Sequence, residues 1–227
     1  MVFGAILADV VRHRKLKDWP QKQELLMIIN EKVTNRFEKY LLFPIEMTAG
    51  DRLIILLKNP WEINNILLSY EEELFLKNTK IKLRWGIGTG NLNLMETPHT
   101  TTGEALYRAQ SALENAHRDR KFFDFSSGYP DTDRLLGILK NTAYNIRERW
   151  TSRQRELRKI IINLKNSDQK ISQTKLAYLM GMTQPAVSKM MKSMLFEEQE
   201  LLENEINLQL KSITSEGYSL RYNPGRL

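Results

Sequence analysis

The chain has 227 residues, 41% of them hydrophobic, which is enough for one large core or two modest ones, and two domains are expected. It contains no cysteine, which excludes disulfides, zinc fingers, iron–sulfur ligation and thiol nucleophiles together. The formal charge is +7 and its distribution says more than its size: residues 140 to 195 carry twelve Lys and Arg against three Asp and Glu, so the remainder is slightly acidic. The N-terminal MVFGAILADVV is too short to span a bilayer and lacks the basic region and cleavage site of a signal peptide. No other stretch approaches about 18 uninterrupted apolar residues, so no membrane insertion and a cytoplasmic location are expected.

In chain order, VFGAILADV is an apolar run of strand length. Residues 19 to 38 follow with helical spacing, Leu25, Ile28, Ile29, Val33 and Phe37 falling on one side. PIEMTA and RLIILLK, separated by Gly50-Asp51, predict a hairpin of antiparallel strands. Asn59-Pro60 ends the hairpin and opens a helix to about Leu76. IKLRWGIGTG is the next strand; Gly86, Gly88 and Gly90 alternate along it, so they share one face and leave room for a ligand or for a close-packed backbone. TTTGEALYRAQSALENAHR has the apolar spacing of an amphipathic helix, and KFFDF closes the set as an edge strand.

The order is β-α-β-β-α-β with an added helix and strand, the split βαβ arrangement of ferredoxin-like domains. The turn-rich SSGYPDTD places a boundary at residues 126 to 132. The expected fold class is therefore α+β: a ferredoxin-like domain over residues 1 to 128, an all-α domain over 133 to 215, and a tail over 216 to 227.

The stretch QTKLAYLMGMTQPAVSKMM, beginning at Gln173, meets the requirements of a helix-turn-helix over residues 173 to 194. Leu176, Ala177 and Met180 form a buried face, with alanine where the helices cross closely. Gly181 takes the positive φ of the turn, and Met182, Val187 and Met190 pack the second helix. Thr183 is its N-cap and Pro185 lies in its first turn. Gln184, Pro185, Ser188, Lys189 and Lys192 then project outward, as recognition-helix residues do, Gln184 toward bases and the lysines toward phosphates. With Gln173 and Thr183 these are the candidate contacts to double-stranded DNA; a plain helical hairpin with solvated lysines is the alternative. The basic helix over residues 152 to 165 adds Arg153, Arg155 and Lys159. Residues 197 to 213 carry an acidic face that repels DNA, so that helix packs against the motif or pairs with a second subunit. Reading two half-sites calls for a homodimer.

TQPAVSK resembles the start of recognition helices in LysR-type and MarR-type regulators. ADVVRHR from Ala8, AGDRLIILL from Ala49, RWGIGTGNL from Arg84 and TGEALYRAQSALENAHR from Thr102 resemble the successive motifs of the SatD family. That resemblance implies a nucleotide-cyclase-like domain coupled to a C-terminal helix-turn-helix. The same motifs are more distantly similar to class III and GGDEF-type cyclases. There, one Asp at the end of the first strand and one in the central hairpin hold the divalent cations that carry a triphosphate. By that resemblance Asp9 and Asp51 are candidate magnesium ligands, and Arg12, Arg14, Gly50, Gly88 and Arg108 candidate nucleotide contacts.

The departures matter as much. Arg12 stands where the cyclase motif has glycine, Arg52 where GGDEF has an acid, and Tyr107 and Ser111 near the transition-state Asn and Arg of class III enzymes. Two carboxylates without groups to stabilise developing charge favour binding over catalysis. Asp9 ending a strand and Asp51 fitting a tight turn remain a plain alternative, as does a solvated loop at Arg12, His13, Arg14 and Lys15. The expected function is a DNA-binding transcriptional regulator whose first domain binds a nucleotide or mediates dimerisation. The rival is a metal-dependent nucleotide cyclase or nucleotidyl transferase directed by the same motif.

Overall fold

A computed structural model of the chain describes residues 2–12, 16–48 and 51–214. It is a mixed α+β structure with a five-stranded sheet and eight α-helices among those residues. The strands are β1 (Phe3–Val10), β2 (Glu46–Thr48), β3 (Arg52–Leu57), β4 (Leu83–Gly90) and β5 (Phe123–Ser126), in the order β2-β3-β1-β4-β5. β1 pairs antiparallel with both β3 and β4, β2 pairs antiparallel with β3, and β5 joins parallel to β4 at the edge. Of the run PIEMTA, Glu46–Thr48 form β2.

One face of the sheet is covered by α1 (Trp19–Phe37) and α2 (Ile63–Leu76), the latter entered through a 3-10 turn at Pro60–Glu62. Ile6, Ala8, Val10, Leu53, Ile55 and Trp85 point into this core. The α1 stripe is shifted from the expected one: Leu26, Ile29, Val33 and Phe37 are buried, whereas Ile28 is exposed. Positions 26, 29, 33 and 37 follow the 3.6-residue period more closely than 25 and 28 do.

α3 (Glu104–Arg118) covers the other face, against Ala5, Leu7, Ile54 and Leu56. It lies almost on the backbone of β4. A Cβ on Gly86 would stand 2.3 Å from the Ala109 carbonyl oxygen, and one on Gly88 2.2 Å from that of Ala105. The alternating glycines therefore admit a helix, and the room they leave is filled by α3.

Five further helices follow: α4 (Pro130–Glu148), α5 (Ser152–Asn166), α6 (Gln173–Met180), α7 (Gln184–Ser193) and α8 (Phe196–Thr214). A second core joins α5, α6 and α7 around Leu157, Ile161, Leu176, Ala177, Met180, Val187 and Met194. The turn at residues 127 to 129 coincides with the expected boundary, but packing crosses it. Ile206, Leu210 and Ile213 of α8, with Leu136 of α4, belong to the core of the sheet. A buried ion cluster ties the same helices together. Lys140 Nζ of α4, fully buried, lies 3.1 Å from Glu203 of α8 and 3.6 Å from Glu71 of α2, and Arg147 reaches both acids at 2.8 and 2.6 Å. The acidic helix 197 to 213 thus spends part of its charge inward, on α4.

Candidate functional site

The α6–α7 pair is built by local signals that agree. The Ser172 hydroxyl accepts the Lys175 N–H at 3.2 Å and caps α6. α6 stops at Gly181, φ 61° and ψ 38°, where the Met182 N–H returns to the Ala177 carbonyl at 2.9 Å. Thr183 is extended and accepts the Ala186 N–H at 3.4 Å, so α7 begins with a filled cap and Pro185 in its first turn. Val187 is wholly buried, and Met182 and Met190 pack against the same core.

This fixes what α7 shows to solvent. Gln184, Pro185, Lys189 and Lys192 are exposed and Ser188 is half-buried. Gln184 Nε2 donates to Gln173 Oε1 at 2.7 Å, which brings two of the candidate DNA contacts together at the start of both helices. Lys159, Lys189 and Lys192 have no ion-pair partner among the described residues. Tyr178, 85% exposed, and Leu179 stand on the outer side of α6; their signal was their position off the 176/177/180 stripe.

The flanking arginines make contacts within the helical segment. Arg153 pairs with Glu156 at 2.6 Å and donates to the Met180 carbonyl, and Arg155 donates to the carbonyls of Trp150, Arg147 and Glu148 at 3.1, 3.3 and 3.0 Å. Both hold helix ends, whose last carbonyls need donors.

On the sheet, Arg52, Asp9 and Arg84 form a row across β3, β1 and β4. Above them lies a cleft of about 340 Å³ with Gln110, Leu113, Glu114, His117 and Arg118 of α3. Asp9 Oδ1 is buried without a hydrogen bond. Burial pushes the Asp9 carboxyl above its usual range, against the opposing pull of Arg84, His117 and Arg52; nearby Asp51 pushes the same way as burial. The two candidate metal ligands are therefore neighbours, as the resemblance implies. They do not fit a divalent cation well, because two guanidiniums flank Asp9, and among the described residues no group of three or more His, Asp or Glu converges.

Of the nucleotide candidates, Arg12, Gly88 and Arg108 do not line that cleft. Arg12 is exposed just past β1, with φ 56°. Gly88 is four residues along β4 from Arg84, about 13 Å in a strand, and lies beneath α3. Arg108 donates to the carbonyls of Thr89 and Ser127 at 2.7 and 2.9 Å and pairs with Glu104 at 2.7 Å, so it stitches α3 to the ends of β4 and β5. Arg14 and Gly50 lie outside the described residues, as do His13, Lys15 and the tail 216 to 227.

A five-stranded mixed sheet joined to a helical segment that contains a capped, basic-faced helix pair defines the class of chain. The SatD family model matches residues 3–197, and the chain belongs to the SatD family. A search of curated proteins returns no match. No helix among the described residues is long and apolar enough to cross a membrane.

Proposed function

We propose that this chain is a DNA-binding transcriptional regulator in which α6 and α7 form a helix-turn-helix and α7 enters the major groove. The observation that carries the proposal is the face of α7: Lys189 and Lys192 without acidic partners among the described residues, beside Gln184 at the helix start. Lysines left unpaired on a rigidly capped helix are available to phosphates, and a glutamine there suits an adenine edge. The sheet order β2-β3-β1-β4 with antiparallel pairs supports a ferredoxin-like, cyclase-related first unit extended by β5. In this reading that unit senses a ligand or holds two copies together for half-site recognition, in the cytoplasm.

The test maps the genomic DNA bound by the full chain and then titrates salt on the recovered sequences. Lys189→Ala is expected to weaken binding across all sequences and to lower the slope of log K against log salt by about 1. Gln184→Ala is expected to cost about 1–3 kcal/mol on the preferred sequence and to relax discrimination. DNA binding that is absent or insensitive to salt would overturn the proposal.

A second reading, a nucleotide cyclase or transferase, has the unpartnered Asp9 oxygen in its favour and the flanking Arg52 and Arg84 against it. Product formed from nucleoside triphosphates with magnesium or manganese, and lost in Asp9→Ala/Asp51→Ala, would establish it. DNA affinity unchanged by a panel of nucleotides would remove nucleotide sensing.

A further inference from the structure

A cavity of about 120 Å³ lies where α2, the start of β4, α4 and α5 meet. It is the joint between the sheet core and the core of α5, α6 and α7. About half of its lining is apolar, with the rings of Phe75, Trp85, Tyr144 and Trp150 and with Leu74 beside them, and charged side chains, Glu71 among them, form most of the rest. Phe75 and Trp150 stand edge to face at 6.3 Å. A dry cavity of about 150 Å³ is known to take a benzene-sized ring, so the space here suits one ring and little more.

The polar side is specific. Glu71 Oε2 receives Arg147 at 2.6 Å, whereas Glu71 Oε1 is buried with no hydrogen-bond donor. Most charged groups of the lining are already engaged: Arg158 with Glu72 at 3.0 Å, Lys82 with Glu148, and Arg155 with backbone carbonyls. The one buried wall atom left without a partner among the described residues is Glu71 Oε1, and an unmade bond to a buried acceptor is costly. Leu68, Glu72, Arg147 and Arg158 also line a second, polar cavity of about 280 Å³, so a ring's polar substituent has a polar neighbour.

We infer that this joint is a binding site for a small, uncharged, single-ring aromatic compound bearing an N–H donor, with its ring against Phe75, Trp85 and Trp150 and its donor on Glu71 Oε1. The site differs from the Asp9 cleft in place and chemistry. Trp150 Nε1 donates to the Met194 carbonyl at 3.1 Å, directly after α7, so a ring seated against Trp150 bears on the end of that helix. That consequence rests on the DNA-binding proposal; ring binding itself does not.

Calorimetric titration of the full chain with aniline, toluene and benzoate, without DNA, tests the site. Aniline is expected to bind roughly tenfold more tightly than toluene, the worth of one hydrogen bond to a carboxylate, and benzoate not at all, since its charge meets Glu71. Leu74→Phe narrows the wall and is expected to abolish aniline binding, and Glu71→Gln to erase the preference over toluene. Since Glu71→Gln also touches the buried ion cluster, thermal unfolding is recorded for both variants, and the wild-type ranking stands as a readout independent of either. Equal binding of all three compounds, no binding of aniline, or full binding by a folded Leu74→Phe would overturn the inference. Failure to bind DNA would leave this result untouched, and the reverse also holds.

Discussion

Asp9 shows how burial and charge compete at one residue. Two arginines flank it across the sheet, yet desolvation prevails and holds its carboxyl above the ordinary range. An acid whose folded pKa is raised ionises more readily in the unfolded chain, so it lowers stability once pH has risen through both values and has no effect below both. Asp9→Asn is therefore expected to stabilise the protein at pH 7, by less than about 1 kcal/mol because the cleft is open to screening water, and to have no effect near pH 3. Thermal unfolding at the two pH values checks it, and a loss of stability at pH 7 would show that the arginines hold the carboxylate. The sequence places Asp9 at a strand end, but its setting comes from the register of β3 and β4, which no local pattern encodes. Arg108, Arg153 and Arg155 were illegible for a related reason. Their acceptors are backbone carbonyls, and side-chain identity does not reveal which carbonyls a fold leaves open.

Glycine substitutions separate two kinds of constraint at the scale of elements. On Gly88 an added Cβ meets the Ala105 oxygen at 2.2 Å and the Ala109 nitrogen at 2.4 Å, both helix backbone that cannot step aside. α3 would have to lift from β4, disturbing Ala105, Ala109 and Leu113 and the Arg108 bonds; Gly88→Ala is expected to cost more than about 3 kcal/mol. Gly181 has φ 61°, and a Cβ added there would have nothing within 4 Å, so Gly181→Ala meets only the left-handed penalty of about 1–2 kcal/mol. Urea unfolding followed by circular dichroism ranks the two, and the reverse order would refute the packing account. The alternation of glycines was plain in the sequence, and so were the strands, the turn at Gly181 and the cap at Thr183, because each depends on neighbours within a few residues. What filled the glycine face was not, since α3 reaches it only after the chain has turned back over the sheet.

The whole molecule is held by pairs that lie far apart in sequence, and acid should expose this. Burial alone would raise the Glu203 carboxyl, but Lys140 and Arg147 outweigh it and bring its pKa down to about 2 from 4.5. A depressed folded pKa supports stability fully above the unfolded value and loses it as pH falls toward the folded one. Glu203 is therefore expected to withdraw about 3 kcal/mol between pH 5 and pH 2. Lys140→Ala removes one partner from a buried acid and should cost about 3–5 kcal/mol at neutral pH, while making the fall below pH 5 shallower, because less of the Glu203 shift remains to be lost. Stability measured across that range for both proteins decides; parallel profiles would mean that Lys140 does not set the Glu203 titration. The same cluster also bears on cooperativity. Glu71 of α2, Lys140 and Arg147 of α4 and Glu203 of α8 meet in one place, and α8 sends Ile206, Leu210 and Ile213 into the core of the sheet. Protonating Glu203 thus weakens the seam between the sheet and the helices that return to it. A helical segment folding independently of the sheet would unfold in acid as a separate step, whereas a shared core and a shared ion cluster predict that the fluorescence of Trp85 and the helical circular dichroism change together.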